Sequence, residues 1–195
     1  MPITINGSGT VTGISAGGLP DGVITTDDIA AGAVTQAKRS EGLTLGTAQT
    51  ATGVAVDFTG IPSWVKRITV MFNGVSTSGT SITQIQVGSG TLNTSGYASG
   101  YGLINGGTGQ NGSTTGFAIG SIAAADNING AFVLCLVNAN TWVINGTYHY
   151  TSSVGAVGMV GGRSPSLSGT LDRLRITTVN GTDTFDAGSI NILYE

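Results

Sequence analysis

From Leu43 onward, apolar and polar residues tend to alternate with a period of two. In KRITVMF, Ile68, Val70 and Phe72 fall on one side and Arg67 and Thr69 on the other, the pattern of a half-buried strand. SITQIQVG sets Ile85 and Val87 against Gln84 and Gln86. GAFVLCLVN is apolar on both sides and predicts a central strand with Cys135 buried in it. NTWVINGTYHYT predicts a hairpin, because Asn145-Gly146 is the preferred pair for a turn with positive φ at both central residues. LRITTVNGTDTF repeats the device at Asn180-Gly181, and GSINILYE places Ile190, Ile192 and Tyr194 on one face. Many short strands with recurrent turn signals predict an all-β, jelly-roll-like β-sandwich over residues 46–195.

Two segments depart from this pattern. Residues 1–45 carry isolated Ile, Val and Leu among Gly, Ser and Thr, too sparse to bury a core alone, and read as an extended N-terminal arm. Within it, TTDDIAAGAVTQAK predicts one short helix. Thr26 or Asp27 suits the cap, Asp27 and Asp28 suit the positive end of the dipole, and Ile29, Ala30, Ala33 and Val34 form an apolar side. So short a helix is unstable alone in water and needs a packing partner. The second departure, Gly88 to Phe117, is rich in Gly, Ser, Thr and Asn and predicts a long loop, of the kind that is usually functional.

Composition narrows the function classes. The chain has 195 residues, 33 glycines and only 9% charged residues, well below the roughly 25% usual for soluble domains. With 39% hydrophobic residues it is not of the disordered class. Net charge is −3, and no basic run appears, which argues against nucleic-acid binding. The N-terminus has no signal-peptide pattern, and no apolar run approaches the ~20 residues of a membrane span. Synthesis in a cytoplasm without membrane insertion is the expectation.

The chemistry-bearing residues are few. Cys135 and His149 are each the only one of their type, leaving neither a disulfide framework nor a nitrogen- or sulfur-rich metal site. His149 alternates with Tyr148 and Tyr150 and reads as a half-exposed strand residue. Asp183 and Asp186 are close enough in sequence to suggest a glycosidase pair, but their place beside Phe185 favours turn and edge roles. GGTGQNG lacks the Gly-Lys-Ser/Thr ending of a phosphate loop. No catalytic residue, cofactor or metal is predicted. Trp64 and Trp142 read as core. Tyr97, Tyr101, Asn105 and Asn111 read as receptor-binding residues, since aromatic rings stack on sugars and amides bond their hydroxyls.

GGLPDGVITTDDIAAGAVTQAK resembles the short assembly segment of bacteriophage tail fibre and related virion fibre proteins. Thr26-Asp27-Asp28-Ile29-Ala30 is followed by Gly32-Ala33-Val34-Thr35 and Lys38. GIPSWVKRITVMFNGVSTSGTS, SGYASGY and NGTDTFDAGSINILYE are similar to the C-terminal head domains of such proteins. The resemblance implies a homotrimer, with Ile29, Ala30, Ala33 and Val34 at the trimerisation contact. It implies an arm held by other virion proteins and a distal β domain touching a host surface glycan or protein. The expected location is the virion, on the tail or capsid surface, after synthesis in the bacterial host. A capsid decoration, head fibre or tail adaptor without a receptor site is the structural alternative, and a glycan-cleaving spike the enzymatic one. The chain departs from long fibres in having neither a repetitive shaft nor a large anchoring domain.

Overall fold

The computed structural model describes Asp27, Ile29 and residues 42–195, with 105–109, 121–122, 125 and 152–156 excepted. Most of the predicted helix, including Ala30, Ala33 and Val34, lies outside the described residues. The unit from Glu41 to Glu195 is all-β. Its strands are β1 (Thr44–Leu45), β2 (Gln49–Thr50), β3 (Ala55–Thr59), β4 (Arg67–Thr77), β5 (Thr83–Ser89), β6 (Thr91–Leu92) and β7 (Ala98–Ile104). They continue as β8 (Gln110–Ser113), β9 (Phe117–Gly120), β10 (Ile128–Asn138), β11 (Thr141–Tyr150), β12 (Val157–Arg163), β13 (Arg173–Thr178) and β14 (Phe185–Tyr194).

These form two packed antiparallel sheets, a β-sandwich. The larger runs β1-β14-β4-β10-β11-β12-β7-β8, with β2 also on β14; the smaller runs β3-β13-β5-β6, with β9 also on β5. β1 pairs Thr44 with Tyr194 and Leu45 with Leu193, so residues assigned to the arm belong to the sandwich. The inward residues of both sheets meet in one core. Ile68, Val70 and Phe72 of β4 join Phe132 and Leu134 of β10, Trp142 and Ile144 of β11, and Ile85, Val87, Leu174 and Ile176 of the smaller sheet. Trp142 is buried, and Trp64 is half-buried with its ring 5.8 Å from that of Tyr194.

Four expectations need correction. The first is the Asn145-Gly146 hairpin: β11 runs straight through this pair, and the chain reverses at Ala139 and Asn140 instead. Gly146 is there for packing, since a Cβ would lie 2.6 Å from the Ala131 carbonyl oxygen and 2.8 Å from the Phe132 ring. Asn180-Gly181 is a real turn, with φ +67° at Gly181, but it joins β13 of one sheet to β14 of the other and closes no hairpin. Third, Gly88 to Phe117 is no long loop. It holds β6, β7 and β8, and β7 pairs with β12 through Gly100↔Gly161 and Ser99↔Gly162. Such a ladder rests on backbone bonds, so it leaves no side-chain alternation to read. Last, Gln84 and Gln86 are not on a solvent face: they are 2% and 6% exposed.

Candidate functional site

β10 is central, between β4 and β11, as its apolar sequence predicts. Only one of its faces is in the core. Phe132 and Leu134 point inward, while Ala131, Val133, Cys135 and Val137 lie on the outer face. Cys135 is therefore half-buried on a sheet surface and is not the core thiol expected. The register extends this face across the sheet. One row runs Leu45, Leu193, Thr69, Val133, Asn145, Gly161, Gly100 and Gly112. The next runs Asn191, Met71, Ala131, Thr147, Met159 and Gly102. Neither row contains a charged side chain. Arg67 and Arg163 flank Cys135 and Val143 in the row on one side, and His149, which is exposed, stands in the row on the other.

Met159, 49% exposed, is a ridge on this face. A shallow depression of about 600 Å³ lies on one side, floored by Gly100, Gly102, Gly112 and Gly161. One of about 440 Å³, lined by Ala131, Val133, Asn145 and Thr147, lies on the other. Gly102 and Gly161 have no left-handed backbone, and a Cβ on either would meet nothing within 4 Å. Among the described residues nothing demands glycine there. Glycine in a strand without an internal reason marks a close approach by another backbone or a ligand.

The predicted receptor residues divide. Asn111 is exposed at the edge of the larger depression, and its amide donates to the Tyr101 hydroxyl at 3.3 Å. Tyr101 is only 7% exposed and lies beneath the floor. Tyr97, expected in a loop, is a core residue at 3% exposure. Its ring stands edge-on to Phe117 at 5.1 Å, and its hydroxyl accepts from the Val87 N–H at 2.8 Å and donates to the Asn93 carbonyl at 3.1 Å. Burial pushes its pKa up to about 12. Asn105 lies outside the described residues, and Ile29 of the trimerisation set is exposed.

Tyr148 and Tyr150 are inward too, their rings 5.1 Å apart and their hydroxyls 3.2 Å apart. Burial raises both pKa values, that of Tyr150 to about 12. The Gly-rich segment therefore offers a ligand no aromatic platform among its described residues.

The acidic pair has structural roles. Asp183 accepts from the Ser81 N–H at 2.9 Å and the Asn180 amide at 2.7 Å, tying the β4–β5 connection to the β13–β14 turn. These bonds hold its pKa below the ordinary carboxylate value. Asp186 accepts from the Ser76 hydroxyl. Among the described residues no three His, Cys, Asp or Glu side chains gather as a metal site, and no helix is long and apolar enough to cross a membrane. No protein-family model, curated protein or solved structure matches this chain.

Proposed function

We propose that this chain is a non-enzymatic structural virion protein of a bacteriophage, a homotrimeric tail fibre or short spike that attaches the particle to its host. On this reading the sandwich is the jelly-roll-like distal head, and the arm, through Ile29, Ala30, Ala33 and Val34, joins copies to each other and to other virion proteins. The observation that supports it best is the pair of uncharged rows on the outer face of the larger sheet. Six strands ~4.8 Å apart and two such rows, about four residues at ~3.3 Å each, make a strip of roughly 380 Å² before side-chain relief. That is about half of the ~800 Å² per partner of a stable interface, and the arm contact adds to it. Rows without charge meet a second copy without like-charge repulsion, and cyclic closure uses them up. Three weak sites per fibre then act together, which raises avidity without new contacts.

Native mass spectrometry of the full chain and of a Val133→Lys/Met159→Lys variant tests the assembly. The wild type is expected at three chain masses, and the variant, which keeps the arm contact, at a smaller share of trimer with unchanged circular dichroism. A wild type that stays monomeric at micromolar concentration refutes it.

One observation favours the second reading, a capsid decoration or tail adaptor: the tyrosines of the Gly-rich segment are buried. Fluorescently labelled trimer that decorates host cells supports attachment. A density map of the particle with the sandwich enclosed by other virion proteins supports the adaptor.

A further inference from the structure

The outer face of the smaller sheet carries a polar trough that no function above uses. Its volume is about 340 Å³, at the small end of the ~300–1,000 Å³ range of small-molecule sites. The floor is built from neighbouring strands: Gln86 stands opposite Arg175, and Gln84 opposite Thr177. Ser113 and Thr115 fold over Gln84, and both hydroxyls donate to its Oε1, at 3.2 and 2.9 Å. Gly116 makes this cover possible, because a Cβ there would sit 2.7 Å from the same oxygen. Gln84 is thus pinned and 98% buried, yet among the described residues its Nε2 has no hydrogen-bond partner. Among the described residues the buried side-chain atoms without a partner are Thr83 Oγ1 and Trp142 Nε1; Gln84 Nε2 is not one of them and is a donor open to the trough. Gln86 is held likewise, its Nε2 donating to the Thr115 carbonyl at 2.9 Å.

Charge and shape limit what fits. Among the described residues Arg175 is the only charged group lining the trough, and Asp57 neutralises it through two bonds of 2.7 Å. The ligand is therefore uncharged. The rim is apolar, with Val54 and Val179 both more than two-fifths exposed. Over Gln84 and Gln86 a peptide strand has no ladder to join, since β13 and β5 each have strands paired on both sides, and an open edge of this sheet is β3. Fixed amides on the floor, threonine hydroxyls beside them and an apolar rim match a molecule with hydroxyls on its edges and C–H groups on its faces.

We propose that this trough binds a neutral sugar, with Gln84 Nε2 donating to a ring hydroxyl and Val54 and Val179 against the C–H face. The proposal deepens the attachment reading and rests on it for the source of the sugar, the host surface glycan. Saturation-transfer difference NMR on the full chain tests it. The probes are glucose, galactose, rhamnose and N-acetylglucosamine and their disaccharides, at millimolar concentration. At least one probe is expected to give a signal with the wild type. Gln84→Glu keeps the acceptor for Ser113 and Thr115 and removes the free donor, so the signal should fall at least tenfold. Val54→Trp blocks the rim from an exposed position and should do the same should Gln84→Glu fold poorly. Met159→Ala, on the other sheet, should bind as wild type. Silence from every probe with the wild type, or unchanged signals in both trough variants, overturns the proposal. Labelled protein that still decorates cells in that case leaves attachment standing and removes only the trough; failure to decorate removes attachment itself.

Discussion

Gly158→Ala should destabilise this protein for a reason found in one side chain. The backbone at Gly158 needs no glycine, since its φ is not in the left-handed region. Its neighbour does: a Cβ would lie 2.1 Å from Cζ and 2.4 Å from the hydroxyl of Tyr148. Carbon atoms rest at ~3.5–4.0 Å, so the ring would have to move by roughly 1.5 Å. It has nowhere to go. Gly120 and Gly130 already provide the clearance on other sides, where a Cβ would come within 2.5 and 2.6 Å of Tyr148, and the Phe132 and Tyr150 rings stand 6.0 and 5.1 Å away.

Overpacking of this kind costs about 1–3 kcal/mol, against which reduced freedom of the unfolded chain returns about 0.4–1 kcal/mol. A net loss of about 1–2 kcal/mol lowers Tm by roughly 2–8 °C in a domain of this size. Thermal and urea unfolding followed by circular dichroism would measure it. Tyr148→Ala alone should cost about 3–5 kcal/mol. In that background Gly158→Ala should be neutral or slightly stabilising, a coupling of about 2 kcal/mol in a double-mutant cycle. A Gly158→Ala protein that melts with the wild type, or strictly additive variants, refutes the steric account.

Three further outcomes follow from named groups. The Thr83 hydroxyl is buried with no partner among the described residues, so Thr83→Val should raise stability by about 1 kcal/mol, seen as a higher urea midpoint. The folded-state pKa values of Tyr97 and Tyr150, at about 12, lie above the ordinary 10. Their stabilising contribution is therefore complete below pH 10 and lost as the pH rises toward 12. Absorbance at the phenolate band should show these tyrosines ionising together with unfolding, and free titration near pH 10 in a folded protein would contradict their burial. Asp183 is the opposite case. Its folded pKa lies below the ordinary 3.8, so its contribution is present above that pH and lost as the pH falls through the folded value. Asp183→Asn should flatten the acid limb of the stability–pH curve, and an unchanged limb would show that the link to Ser81 and Asn180 carries no weight.

The alternating strands were legible because a two-residue period has one cheap explanation, a face in the core. Ile68, Val70 and Phe72 fill the core as their spacing predicts. Where alternation is carried by glycine, the same logic fails. ASGYGLI has glycine or a small residue at four of its seven positions, yet it forms β7 because β12 offers a matching ladder, and only tertiary structure reveals that match. Asn145-Gly146 misleads for a related reason. A dipeptide reports that glycine is needed, and cannot report whether the need is positive φ or the space taken by Phe132.

The functional surfaces were hidden by the second layer of contacts. Central position in a sheet is visible in GAFVLCLVN, but whether a central strand is covered on both faces depends on how many layers the fold stacks, and here there are two sheets. The apolar outer face is the remainder, a run of Val133, Cys135 and Val137 with no cover within the chain's described residues. Gln84 and Gln86 are the converse. Their polar alternation is that of a wet strand face, and they are buried because Ser113 and Thr115, some thirty residues away, fold over them. Hydrogen bonds to this cover turn ordinary amides into fixed donors and acceptors. A sequence search for binding chemistry looks for aromatic residues in exposed loops, and in this chain those residues went into the core. The trough proposed above rests instead on a pair of glutamines that no local pattern distinguishes from solvent-facing ones.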